Sequence, residues 1–126
     1  MPKCILIVDD HEDIRKLVRN FLEAESELRV CGEAVDGYDA IEKAQALKPD
    51  LIILDLSMPR MDGIQAARRL KKIVPQIPIV LFTSYSDAIE GRDALLLGIK
   101  AVIAKGGDLS LLVENVQSLL QETVSH

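Results

Sequence analysis

The run Leu51-Ile52-Ile53-Leu54 sets four large apolar residues in succession, with Pro49 before it and Asp55 and Pro59 after it. Apolar residues without alternation suit a strand buried on both faces, as in a parallel sheet. Pro59 cannot continue a ladder, so the chain must turn there. Gly63 permits a tight backbone before the next helical pattern. Asp55 is the first polar residue after the strand and so sits at its carboxyl end. Open parallel α/β sheets bind ligands and do chemistry at that end.

The same alternation runs through the chain. Cys4 to Val8 is an apolar run ending in Asp9-Asp10, and Ile14, Leu17, Val18, Phe21 and Leu22 then recur at helical spacing. Leu28 to Ala34 reads as a second strand and Asp36-Gly37 as a loop. Ile41, Ala44 and Leu47 mark a second helix stopped before Pro49. After the central run, Ile64, Ala67, Leu70 and Val74 mark a third helix, ended by Pro75 and Pro78. Ile79 to Phe82 is a fourth strand with Thr83-Ser84 at its end, and Ala88 to Leu97 a weaker helix with Gly91 inside and Gly98 at its C-cap. Ala101 to Ala104 is a fifth strand, ending at Lys105. Asp108 can cap a last helix whose inner face carries Leu109, Leu112, Val113, Val116 and Leu120. No sequence repeat and no linker divides residues 1–126, a length that suits one domain.

Five strands alternating with five helices imply a parallel sheet covered on both faces. Right-handed crossovers bring every strand's carboxyl end to one edge. Asp9, Asp10, Asp55, Thr83 and Lys105 come from four strands, and this topology gathers them into one cleft. Three carboxylates close together repel unless a counter-ion joins them. Carboxylate oxygens, a backbone carbonyl and waters suit Mg²⁺. A metal-bound carboxylate can also act as a nucleophile towards phosphorus and form an aspartyl phosphate. Thr83 and Lys105 then offer a hydroxyl and an ammonium to the new oxygens.

Composition narrows the field. A net charge of −5 and only two Tyr, two Phe and no Trp argue against direct nucleic-acid binding. No apolar run approaches a membrane span, and Met1-Pro2-Lys3 leads straight into the first strand with no signal peptide. Cys4 and Cys31, without metal-ligand spacing, read as buried reduced thiols of a cytoplasmic protein rather than as a disulfide. No GxxxxGK loop is present, which argues against an ordinary nucleotide-binding domain. His11 reads as a helix-start residue, with no second His or Cys close enough in sequence to suggest a ligand set.

The segments Ile5-Leu6-Ile7-Val8-Asp9-Asp10-His11, Asp50 to Gly63, Thr83-Ser84 and Lys105 together resemble a response-regulator receiver domain of two-component signalling, over essentially the whole chain. The resemblance implies a doubly wound, flavodoxin-like (βα)5 fold with strand order 2-1-3-4-5. It implies that Asp55 takes a phosphoryl group from a phosphohistidine on a sensor kinase or phosphotransfer protein. Asp10, Asp55 and the carbonyl of Ser57 would hold Mg²⁺, with Asp9 acting largely through its waters. Thr83 and Lys105 would bind the phosphoryl oxygens. Such a domain catalyses only its own phosphorylation and dephosphorylation, and it can form a homodimer when phosphorylated. Asp55-Leu56-Ser57-Met58-Pro59 and Asp9-Asp10-His11 resemble receivers of LuxR-type helix-turn-helix transcription factors in particular. That likeness favours a receiver cut from a longer protein over a stand-alone regulator acting by protein contact.

Rival readings fit less well. A haloacid-dehalogenase-type phosphatase wants a second Asp two residues after its nucleophile, where this chain has Ser57. A flavin-binding flavodoxin needs a Ser/Thr/Gly-rich loop where Asp9-Asp10 stands. The full set of five cleft residues argues against a degenerate receiver. Two departures from the family carry expectations. Gly106-Gly107 follows Lys105 in place of the usual Pro, so the Lys105–Gly106 bond should be trans, with one of the glycines at positive φ. Val102 stands where most members carry an aromatic switch residue. The resemblance implies that Tyr85 lies beside the path of an attacking water, where it would shield an acyl phosphate, and Leu95-Leu96-Leu97 cannot all face inward on one helix.

Overall fold

A computed structural model of the chain describes residues 2–84 and 91–124, with the backbone alone for 91, 92 and 122–124. The elements run β1 (Lys3–Val8), α1 (Glu12–Glu23), β2 (Leu28–Ala34), α2 (Gly37–Leu47), β3 (Leu51–Leu54), α3 (Gly63–Ile73), β4 (Ile79–Thr83), α4 (Gly91–Leu96), β5 (Ile99–Ala104) and α5 (Leu109–Val124). The sheet is parallel throughout, in the order β2-β1-β3-β4-β5. The expected doubly wound order is therefore the one observed.

β3 lies at the centre and all four of its residues are buried, as an unalternated apolar run requires. Its side chains divide between the two faces. Ile52 and Leu54 join Leu6 and Val8 under α2, α3 and α4, whereas Leu51 and Ile53 join Ile5 and Ile7 under α1 and α5. Truncating one of them, as in Leu54→Ala, would cost about 2–5 kcal/mol in lost burial and cavity formation.

The helices follow their caps. Asp62 accepts from the backbone N–H of Gln65 and the Gln65 side chain answers to the N–H of Asp62, a capping box that starts α3. Asp36 caps α2 through the N–H of Asp39 at 2.8 Å. Lys48 ends α2 in the left-handed conformation, with its N–H on the carbonyl of Ala44.

Some inner faces differ from the periodicity. α1 buries Val18 and Leu22, while Leu17 and Phe21 are 44% and 43% exposed. α2 buries Gly37, Ala40 and Ala44 and leaves Leu47 half out. Small residues, not the large ones, bring α2 close to the sheet and to α3. The helix expected over 88–97 is described from Gly91 to Leu96, and Ala88 to Glu90 lie outside the described residues, as does Tyr85. Gly98 follows at φ 78, a conformation that suits glycine at a helix end. Of the three leucines, Leu97 is buried, and Leu95 and Leu96 are 66% and 63% exposed.

The cysteine reading is overturned. Cys4 and Cys31 form a disulfide with their Cα atoms 5.4 Å apart. The β1–β2 register slips between Ile5 and Leu6: Ile5 faces Val30 and Leu6 faces Gly32, so Cys31 is the extra residue of a bulge. A bulge re-aims a side chain, and 27 residues of separation give no sign of it in the sequence.

Candidate functional site

Three of the cleft residues each continue their strand by one ladder bond. Asp9 donates its N–H to the carbonyl of Ala34, Asp55 to that of Val8 and Lys105 to that of Thr83, each at 3.0 Å. The parallel register therefore fixes where these side chains leave the sheet. Four of the five predicted residues meet: Asp9, Asp10 and Asp55 lie together, and Lys105 Nζ lies 2.7 Å from Asp9 Oδ2 and 3.1 Å from Asp55 Oδ2. Asp9 and Asp55 are buried and Asp10 is partly open to solvent. Thr83 ends β4 fully buried, and Ser84 beside it reaches the cleft wall. The cleft, about 550 Å³, is also lined by Asp10, His11, Asp55, Ser57 and Lys105.

Backbone close approach builds the β3–α3 side of this site. Gly63 donates to the carbonyl of Leu56 at 2.7 Å, and a Cβ at Gly63 would come within 2.2 Å of the carbonyl oxygen of Asp55. Only glycine fits there, so the residue that starts α3 also shapes the loop carrying Asp55 and Ser57. On the other side, every described peptide bond is trans, Lys105–Gly106 included. The expected positive φ at Gly106 or Gly107 is absent, because the loop closes as a tight turn with Gly107 N–H on the carbonyl of Ala104.

Electrostatics follow from the crowding. Burial and then the charge of Asp9 push the Asp55 carboxyl above its ordinary value, against the pull of Lys105 and a hydrogen bond from the Ser57 N–H. Burial works against the Lys105 ammonium, yet the hydrogen bond and charge of Asp9, and then those of Asp55, carry its pKa upward. One ammonium among three carboxylates leaves the cleft negative. Ligand atoms of Asp9, Asp10, His11 and Asp55 lie within 4.8 Å of one another. Hard oxygen donors at that spacing fit a divalent cation, and such a cation would offset the repulsion.

Two features escaped the sequence reading. His11 does stand at the N-cap of α1, but its Nδ1 lies 3.1 Å from Asp9 Oδ1 and 3.0 Å from Asp10 Oδ1. The loop's curl alone brings it there. Arg15 donates Nη1 to the carbonyl of Asp9 and Nε to Glu33, both at 2.8 Å, and Arg19 holds the other Glu33 oxygen at 2.7 Å. The i, i+4 spacing of Arg15 and Arg19 was legible; that β2 offers Glu33 opposite them was not.

Comparison with known proteins places this geometry. The profile of the response regulator receiver domain matches residues 5–117. The response regulator protein VraR of Staphylococcus saprophyticus is 43% identical over 117 residues, covering 93% of this chain and 56% of that protein. The chain thus spans about half the length of the curated relatives it matches. A two-component response regulator of the LuxR family from Aurantimonas superposes with a TM-score of 0.88 at 27% identity, over 97% of this chain and 87% of that one. CheY from Borrelia burgdorferi, solved in a CheX-CheY-BeF3-Mg complex, gives 0.88 at 25% identity over 94% and 90%.

Proposed function

The chain belongs to the response regulator receiver domain family, and on that premise we propose that Asp55 is its phosphoryl acceptor in a two-component signalling pathway. The single observation that carries the reading is the setting of Asp55: a buried carboxylate at the carboxyl end of the central strand, hydrogen-bonded to Lys105 and facing Asp9 and Asp10. An oxygen of Asp55 attacks the phosphorus of a phosphohistidine on a sensor kinase or phosphotransfer protein. The new P–O bond forms as the P–N bond breaks, and the electron pair stays on the departing imidazole. Lys105 stays within reach of the transferred group and offsets its charge, exchanging its bond to Asp9 for one to a phosphoryl oxygen. Thr83, at the end of the neighbouring strand, supplies a hydroxyl to the same group. Mg²⁺ is the cation that Asp10, Asp55 and the Ser57 carbonyl would hold, with Asp9 reaching it through water; it would neutralise charge on the carboxylates and the phosphoryl oxygens.

The domain acts on itself, with no substrate turned over. It signals in the cytoplasm, as the whole of residues 1–126, to an output that the LuxR-family likeness points to as a helix-turn-helix domain of a longer protein. A homodimer formed on phosphorylation would carry the signal onward. The test is label transfer from acetyl phosphate or a cognate kinase. Labelling should need Mg²⁺ and vanish in Asp55→Asn; undiminished labelling of that variant would remove Asp55 from the role. Steady turnover of a phosphate monoester would favour a phosphatase instead.

A further inference from the structure

A groove of about 300 Å³ between α2 and α3, outside the acidic cleft, is lined by Tyr38, Met61, Gln65 and the cations Arg60, Arg68, Arg69 and Lys72. Four of these seven are cations in a chain whose net charge is −5. Arg60 is committed to the carboxylate of Asp36. Arg69 lies over the ring of Tyr38, 5.9 Å from its centroid. Arg68, Arg69 and Lys72 are exposed and have no carboxylate partner among the described residues. Cations in a last helical turn complement the helix dipole, which accounts for Lys71 and Lys72. It does not account for Arg68 and Arg69, a turn earlier, where like charges on one helix face repel.

We propose that this groove docks an extended acidic segment of a partner protein. Residue type is the first argument. Tyr, Arg and Met are enriched at the cores of protein–protein contacts, and Tyr and Arg dominate their hot spots. Here Met61 is the buried floor, Tyr38 is 54% exposed, and the arginines form the wall. Charge is the second argument: unpaired guanidinium forks recognise carboxylates bidentately, and the acidic remainder of this chain turns non-complementary partners away. Spacing is the third. Arg68 and Lys72 stand four residues apart on α3, a rise of about 6 Å. Alternate residues of an extended chain are spaced about 6.7 Å apart and point the same way. Acidic residues on alternate positions would therefore meet both cations. Met58 and Pro59, in the loop after Asp55, line the acidic cleft, while Arg60 and Met61 line the groove.

The experiment is an amide-shift titration of the intact chain with an alternating Glu-Ser hexapeptide, and separately with AMP and with inorganic phosphate. Saturable shifts should centre on Tyr38 and residues 60–72. Arg68→Glu with Lys72→Glu should weaken peptide binding by about tenfold or more, since attraction becomes repulsion. Tyr38→Ala should weaken it severalfold, and Lys100→Glu, on exposed β5 surface, should change it less than twofold. All are surface changes, and unchanged far-UV circular dichroism checks the fold. The proposal is overturned by absence of saturation, by shifts centred on the acidic cleft, or by equal losses in the Lys100 variant. Tighter binding of AMP or phosphate than of peptide at the same residues would overturn it too, in favour of a phosphate site.

Discussion

Asp36 joins three parts of the molecule through one carboxylate. Oδ1 accepts the Asp39 N–H that starts α2, and Oδ2 accepts Nε of Arg60 at 2.9 Å. Arg60 itself sits at φ 66, a left-handed conformation unfavourable for a side chain with a Cβ. Its guanidinium is 67% exposed, so the ion pair adds only tenths of a kcal/mol, and the cap is the larger contribution. Asp36→Ala should cost about 1–2 kcal/mol in urea unfolding at neutral pH, and Asp36→Asn much less, because the amide oxygen still caps. The backbone bond to Asp39, and then Arg60, hold this carboxyl below its ordinary value of 3.8. A depressed pKa means stability that is fully present above 3.8 and is lost as pH falls through the lower, folded value. The advantage of the native residue over Asp36→Asn should therefore be constant at neutral pH and shrink in acid. An advantage that grows on acidification would refute the assignment.

At the scale of elements, α1 and β2 act as a brace for the acidic loop between β1 and α1. Burial alone would raise the Glu33 carboxyl, but hydrogen bonds from Arg19 and then Arg15, with their charges, bring it below its ordinary value. A carboxylate held by two guanidinium groups is a fixed anchor, and Arg15 passes that fixity to the carbonyl of Asp9. Outer partners that orient metal ligands commonly affect affinity by 10–100-fold. Arg15→Ala should lower Mg²⁺ affinity about tenfold, read by calorimetry or amide shifts at Asp10, and Arg15→Lys should recover part of the loss. Wild-type affinity in Arg15→Ala would show that the loop holds its shape without the brace.

At the scale of the molecule, the proposed function requires that a phosphoryl group at one sheet edge be felt on the surface. α4 is the element best suited to respond. It packs on β5, buries Ala94, leaves Leu95 and Leu96 in solvent, and is followed directly by the buried Leu97. Lys71 of α3 donates to the Leu96 carbonyl and tethers its C-terminal end. Val102, in the middle of β5, is partly buried against the core, and its β-branched side chain has few rotamers to exchange. The response should therefore be a shift of α4 with no ring rotation. Amide exchange with and without beryllofluoride and Mg²⁺ should change across residues 91–98. Changes restricted to Asp55 and its own loop would exclude α4 as the route.

The order of elements, the central strand and the meeting of Asp9, Asp10, Asp55 and Lys105 were legible in the sequence because each is a local signal. An unalternated run such as Leu51 to Leu54 needs two covered faces wherever it is placed, and a polar residue that ends a strand must leave the sheet at its edge. Right-handed crossovers then do the gathering without further instruction. What sequence could not give are relations between elements that meet only through register and packing. The β1–β2 bulge decided that Cys4 and Cys31 are bonded, and no pattern within either strand records a bulge. The closeness of α2 to the sheet, set by Ala40 and Ala44, decided that Leu47 is half exposed. The curl of one loop carried His11 to the carboxylates, and the facing of α1 and β2 gave Arg15 its double role. The pairing of α2 with α3 set Tyr38 beside Arg69. Local chemistry fixes what each segment is; which neighbours its side chains meet is settled only when the whole core closes, because a register change of one residue moves every side chain to the other face.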